Sequence, residues 1–200
     1  EIELYIRFLG GYFMFKPYKT EPFYDEMLNQ DKPRPHYVAF YDQIQKMTDE
    51  QLKGKHQNAQ SSFLRQGITF TVYSEAGNTE RAMPFDFIPI IMPDDTWQHI
   101  ELGMKQRVKA LNLFLHDIYN EQRILVDGVV PRDLVESNQY YYKQVNGANI
   151  PLQNHIFLAG VDLIRDEQGE YRVLEDNLRN PSGISYVYQN RFVMRKVYPE

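Results

Sequence analysis

Two short apolar runs joined by a turn, and the acids that interrupt them, restrict this chain more than any other feature. Ile156 to Ile164 reads as a strand, Asp166-Glu167-Gln168-Gly169 has turn composition, and Tyr171 to Leu174 reads as a second strand, which makes a β-hairpin. Asp162 breaks the first run ahead of Leu163-Ile164, and Glu175 follows directly on Val173-Leu174. A carboxylate within an apolar strand is costly to bury unless something pairs with it. With an even-numbered turn, Arg165 faces Glu170 and Asp162 faces Val173. Side chains alternate with period two, so Asp162, Glu175 and Asn177 then share a face while Asp176 points the other way. In that register the first two acids are diagonal neighbours, about 7 Å apart at Cβ. Two carboxylates and an amide oxygen form a hard, oxygen-only set that suits Mg²⁺. A hairpin whose acidic face is simply hydrated accounts for the same residues, and a one-residue bulge would move Glu175 to the opposite face.

The remaining chain supplies helices to pack on such strands. Tyr37, Phe40, Tyr41, Ile44 and Met47 recur at helical spacing after Pro35 and stop near Thr48. Thr48 with Gln51 reads as a capping box for a second, more polar helix running toward Gly67. Ile68, Phe70 and Val72 alternate with polar or amphipathic neighbours as a half-buried strand does, and Gly77-Asn78 has turn composition. Pro84, Pro89 and Pro93 argue against a central strand in that region. Trp97, Ile100, Met104, Val108, Leu111, Leu115 and Ile118 form one helical stripe, with Asp94 or Asp95 placed to cap its start. A helix of about 25 residues spans about 38 Å. Asp127-Gly128 is a turn, Pro131 opens a short helix, and Tyr140-Tyr141-Tyr142 with Tyr119 adds aromatic density. The segment Ile184 to Val197 is helical in pattern; with Ser182 or Gly183 at its start, backbone N–H groups there could hold an anion. Residues 1–35, rich in Tyr, Phe and Pro, read as an arm packed on the main body.

Two hundred residues suffice for one or two domains with a real core. A net charge of −5 without a block of Lys and Arg argues against nucleic acid as a partner. With no cysteine, a disulfide scaffold, a thiolate zinc site and a cysteine nucleophile are excluded. The five histidines are scattered, with no pair at helical ligand spacing, and read as ordinary core or surface residues. The apolar stretch Ile2 to Phe15 is too short for a bilayer span, so no membrane association is expected and a cytoplasmic location fits. Neither a Walker-type loop nor a G-x-G-x-x-G motif occurs.

Val161-Asp162-Leu163, the turn Asp166 to Gly169, and Glu175-Asp176-Asn177 together resemble the metal-binding hairpin of the ATP-grasp superfamily. The longer string Leu174-Glu175-Asp176-Asn177-Leu178-Arg179, then Pro181-Ser182-Gly183 and Ser185-Tyr186, is similar to the circularly permuted ATP-grasp family related to glutathionylspermidine synthetase. The likeness extends back through Gly67 to Tyr73, Pro84-Phe85-Asp86 and Gln106 to Asn112, and covers the chain from about Tyr24 onward. It implies an α+β fold: an ATP-grasp-like antiparallel sheet with packed helices, circularly permuted, of which this chain carries the N-terminal, metal-binding part. Residues 1–66 would then be an aromatic arm and helices, and 67–200 the metal-binding portion of the permuted domain. The nucleotide-clamping lysines would lie beyond Glu200.

What the resemblance implies chemically is an ATP-dependent carboxylate–amine ligase working through an acyl phosphate, with ATP and Mg²⁺ as cofactors. Its partners would be a small-molecule or peptide carboxylate and an amine. Asp162, Glu175 and Asn177 would hold Mg²⁺, Arg179 would act on the phosphate or a developing oxyanion, and Ser182 and Gly183 would bind the cofactor. Gln106, Arg107 and Asn112 also fall in the likeness, but a hydrated helix face explains them and they are given no role. Two positions depart from the pattern: Ile90 and Gly160 stand where relatives place Arg. The alternatives are a non-catalytic binding or scaffold module of the same fold and a phosphotransferase that stops at the phosphorylated acid.

Overall fold

A computed structural model of the chain describes residues 24–30, 32–74, 77–82 and 85–199, with backbone alone for 70–74 and 77–82. Most of the expected aromatic arm, residues 1–23, lies outside the described residues. The fold is α+β, with helices accompanied by small two-stranded sheets. Its described parts sort into two compact units. One takes the chain up to Pro93, Arg165–Glu170 and the segment from Gly183; the other takes Asp94–Ile164 and Tyr171–Ser182.

In the first unit, strands β1 (Leu28–Asn29) and β2 (Lys32–Pro33) form a small antiparallel ladder. A 3₁₀ turn at Pro35–Tyr37 then leads into helix α1 (Val38–Gln45). Tyr37 is fully buried with Met27 and Leu28, against Phe40, Tyr41 and Ile91. Its hydroxyl donates to the Pro89 carbonyl at 2.9 Å and accepts from Ile91 N–H at 2.8 Å, so one phenol fixes an extended proline-rich segment. Helix α2 (Asp49–Arg65) opens with the expected box, the Thr48 hydroxyl accepting from Gln51 N–H and the Gln51 side chain accepting from Thr48 N–H. Ala59 and Phe63 of α2 pack with Val193 and Val197 of the last helix, α6 (Ile184–Val197), and Phe85 meets Phe63 edge-on at 4.9 Å.

Strands β3 (Thr69–Ser74) and β4 (Gly77–Ala82) pair antiparallel, Ser74 opposite Gly77 and Tyr73 opposite Asn78. Gly77-Asn78, the pair expected to make a turn, therefore lies in β4 instead. β4 is polar, and its pairing with β3 rather than its own composition makes it a strand. From Phe85 to Pro93 the proline-punctuated chain forms no strand.

The second unit is organised on helix α3 (Asp94–Tyr119), close to the length its stripe predicts. Ile100 and Ile118 are buried, whereas Trp97 at the near end of the stripe is 53% exposed. Asp94 and Asp95 lie within the first turn, where negative charge suits the helix dipole, rather than ahead of it. Short helices α4 (Arg123–Val126) and α5 (Arg132–Glu136) follow, and the Asp117 carboxylate caps α4 by accepting from Arg123 and Ile124 N–H, both at 3.0 Å. Tyr141 stacks on Tyr119 with centroids 5.1 Å apart, both half-buried, while Tyr140 and Tyr142 are exposed, so only part of the expected aromatic density is packed.

The hairpin consists of β5 (Gly160–Arg165) and β6 (Tyr171–Asn177). It begins later than Ile156 and runs on through Asn177. No helix among the described residues is long and apolar enough to cross a membrane.

Candidate functional site

The hairpin's turn differs from the even-numbered one on which the register was built. Asp166 N–H donates to Glu170 O and Gly169 N–H to Asp166 O, both at 2.9 Å, which leaves residues 167–169 as an odd-length turn. Gly169 has φ +87°, and a Cβ there would meet the Tyr24 ring at 2.5 Å, so the position requires glycine on both counts. Arg165 is held beside the turn by Glu26 at 2.9 Å and by the Gly169 carbonyl at 2.6 Å. Carried along the strands, this register sets Leu163 opposite Val173 and Asp162 opposite Leu174, not Val173. Exposure agrees: Leu163 and Val173 are half-buried, Asp162 and Leu174 exposed.

The alternation then fails in β6. Leu174 and Glu175 are both exposed, and Asp176 and Asn177 both half-buried. A Cβ drawn on Gly160 would stand 3.6 Å from Asn177 Cβ, which puts Asn177 beside the residue two before Asp162 on the same strand. One extra residue at Leu174–Glu175, a β-bulge, accounts for both observations.

Glu175 and Asn177 meet directly, Asn177 Nδ2 donating to Glu175 Oε1 at 2.9 Å. With its N–H₂ so directed, Asn177 presents its carbonyl oxygen as an acceptor. Asp162 is exposed on β5. The set is oxygen-only, with two carboxylates and an amide, and its chemistry fits a hard divalent cation. Among the described residues no group of three or more His, Asp or Glu side chains is arranged to hold a metal, so the amide would have to be a member of any set built here.

Asp176 is occupied elsewhere. Arg107, from α3, donates through Nε at 2.7 Å and through Nη2 at 2.6 Å to its two carboxylate oxygens. The Arg107 hydrogen bond holds the Asp176 carboxyl below the usual carboxylate range, and Asp176 in turn raises the guanidinium. Arg107 is thus committed to an ion pair rather than to a merely hydrated face. Asn112, one of the other two helix residues given no role, is committed as well: its Oδ1 accepts from His155 N–H at 2.8 Å and Ile156 N–H at 3.1 Å, anchoring to α3 the segment that enters β5. Neither role has a local sequence signal, since the partners are 69 and 43 positions away.

Arg179 is exposed, with its guanidinium 5.4 Å from the Tyr140 ring centroid, and no ion pair to it occurs among the described residues. A Cβ on Gly160 would lie 2.6 Å from Pro181 Cβ, so the loop carrying Arg179 comes down onto β5 where a side chain would otherwise stand. Ser182 is exposed, and Gly183 is the N-cap of α6 with open space around it and no side-chain cap. Two of the scattered histidines meet: His116 Nδ1 is 3.4 Å from His155 Nε2, and burial, then the His116 charge, lower the His155 pKa.

A family model described as a circularly permuted ATP-grasp matches residues 89–200, the stretch that holds every one of these side chains from Arg107 to Gly183. An uncharacterized protein of Synechocystis sp. PCC 6803 is 43% identical over 92% of this chain and 38% of its own length. One of Mycobacterium tuberculosis H37Rv is 41% identical over 96% of this chain and 34% of its own. A Frankia alni protein named "Putative glutamate--cysteine ligase 2-3" is 35% identical over 88% of this chain and 20% of its own length. The chain thus spans 38% of the length of the first of these relatives and less of the other two.

Proposed function

This chain belongs to the circularly permuted ATP-grasp family, and from that premise we propose that the protein containing it is an ATP-dependent carboxylate–amine ligase. The observation that carries the reading is the Glu175–Asn177 pair within the matched stretch, at the end of a hairpin whose other strand bears Asp162. The bulge at Leu174–Glu175 supports placing all three on one side of the hairpin, the arrangement an Mg²⁺ site needs. The ligase name of the Frankia relative supports the reaction class.

In the reaction, a substrate carboxylate oxygen attacks the γ-phosphorus of ATP, the bond to the bridging oxygen breaks, and ADP leaves. The amine nitrogen then attacks the acyl carbon, phosphate departs, and the nitrogen loses a proton to give the amide. Asp162, Glu175 and Asn177 would hold Mg²⁺, which when bound supplies the charge that neutralises phosphate oxygens. Arg179 is the candidate catalytic group: its guanidinium is exposed and has no carboxylate partner among the described residues, which suits it to the transferring phosphoryl group. Ser182 and Gly183 offer the cofactor the N-terminal end of α6. No side-chain nucleophile is needed, in keeping with a chain that has no cysteine. Gly160 leaves this chain without the guanidinium that relatives place there, and Pro181 stands where its Cβ would be, so Arg179 is the cation this reading relies on. We place the protein in the cytoplasm, with a small-molecule or peptide acid and an amine as substrates.

The test is ADP release by the full-length protein with candidate acids, with and without an added amine. Release that requires both acid and amine supports the ligase. Release with acid alone identifies a phosphotransferase, and ATP binding indifferent to Mg²⁺ identifies a scaffold.

A further inference from the structure

A two-pronged polar contact near the candidate site uses neither a proposed ligand nor a substrate group. Arg107 grips Asp176 with a two-pronged contact, Nε to Oδ1 at 2.7 Å and Nη2 to Oδ2 at 2.6 Å. Asp176 sits between Glu175 and Asn177 in sequence, and its side chain is only 16% exposed. It lies where β6 loses its alternation, at the end of a sheet of two strands. The other end of the contact is the middle of α3, a helix of 26 residues. A guanidinium fork matches both carboxylate oxygens at once and so fixes direction as well as distance.

Resting on the reading of Glu175 and Asn177 as Mg²⁺ ligands, we infer that Arg107 is the positioning residue of that pair. By drawing Asp176 toward α3 it sets the backbone from which the two flanking side chains project. It has a second effect: Asp176 is a third carboxylate beside two proposed ones, and Arg107 both neutralises it and keeps it from competing as a ligand. Arg107 touches neither metal nor phosphate in this scheme.

The experiment measures Mn²⁺ binding to the full-length protein by electron paramagnetic resonance in the presence of ATP, with thermal melts as a control on folding. Loss of binding in Glu175→Gln establishes that the signal reports the proposed pair; binding unaffected by that change would remove the metal reading itself, a separate failure. Given that signal, Arg107→Met and Asp176→Asn are each expected to weaken Mn²⁺ by about 10- to 100-fold, the usual effect of an outer partner on a metal site. The double variant is expected to be no weaker than either single one, because both remove one contact. Arg107→Lys, which keeps the charge but not the fork, is expected to weaken binding too, and covers the case in which Arg107→Met melts early. Wild-type affinity in Arg107→Met and Arg107→Lys, or losses that multiply in the double variant, would overturn the inference.

Discussion

The close approach of Pro181 to β5 can be tested with a single methyl group. A Cβ at residue 160 would lie 2.6 Å from Pro181 Cβ, 3.6 Å from Asn177 Cβ and 3.7 Å from Pro181 Cα. Carbon atoms pack at about 3.5–4.0 Å, so in Gly160→Ala the proline must retreat by about 1 Å. Its ring cannot swing aside as a flexible chain would, and forcing extra methyl volume into a filled space costs about 1–3 kcal/mol. Gly183→Ala adds the same atom where nothing lies within 4 Å, so it should carry no packing cost and only the smaller one of an alanine at a helix N-cap. Urea unfolding of the 200-residue chain measures both. In the full-length protein the same displacement moves the loop bearing Arg179, so the KM for ATP should rise in Gly160→Ala and not in a variant remote from the loop. Equal midpoints and slopes for Gly160→Ala and wild type would show that the contact is not tight, and the argument for a loop seated on β5 would fail with it.

Tyr37→Phe conserves volume but leaves the Pro89 carbonyl and the Ile91 N–H without their phenol partner; at about 1 kcal/mol per bond it should cost about 2 kcal/mol. A denaturation curve matching wild type would contradict that. His155 has a lowered pKa, so folding favours its neutral ring. Its contribution to stability is complete above the ordinary value of 6.5 and drains away as the pH falls from there toward the lower folded value. Melting temperatures taken from about pH 8 down to about pH 5 should therefore fall more steeply for wild type than for His155→Phe, which keeps the ring over Tyr119. Parallel curves would refute this.

What could be read from the sequence was what neighbours decide. The Thr48 box, the stripe from Ile100 to Ile118 and the last helix, Ile184–Val197, are set by contacts within a turn or two, and they stand where their residues put them. The hairpin was equally legible, but its register was not. Everything depended on whether the turn was odd or even, and Gly169, poised for the left-handed conformation of a three-residue turn, was the available signal. The bulge that follows has no composition of its own, because Leu174 and Glu175 suit a regular strand as well. Nor could single-residue patterns bring together Arg107 and Asp176, Asn112 and His155, or His116 and His155, whose encounters exist only once α3 lies along the later chain. β4 is the opposite failure: Gly77-Asn78 looks like a turn and is used as a strand because β3 supplies a partner.

The claim on which the rest depends is that Glu175 and Asn177 hold the cation that carries ATP. The most direct measurement is Mg²⁺-dependent ADP release by the full-length protein in wild type, Glu175→Gln and Asn177→Ala, with circular dichroism to confirm the fold. Loss of a ligand should exceed the loss of an outer partner, so both variants should fall by more than about 100-fold with unchanged spectra. Undiminished, Mg²⁺-dependent release by both would contradict the account.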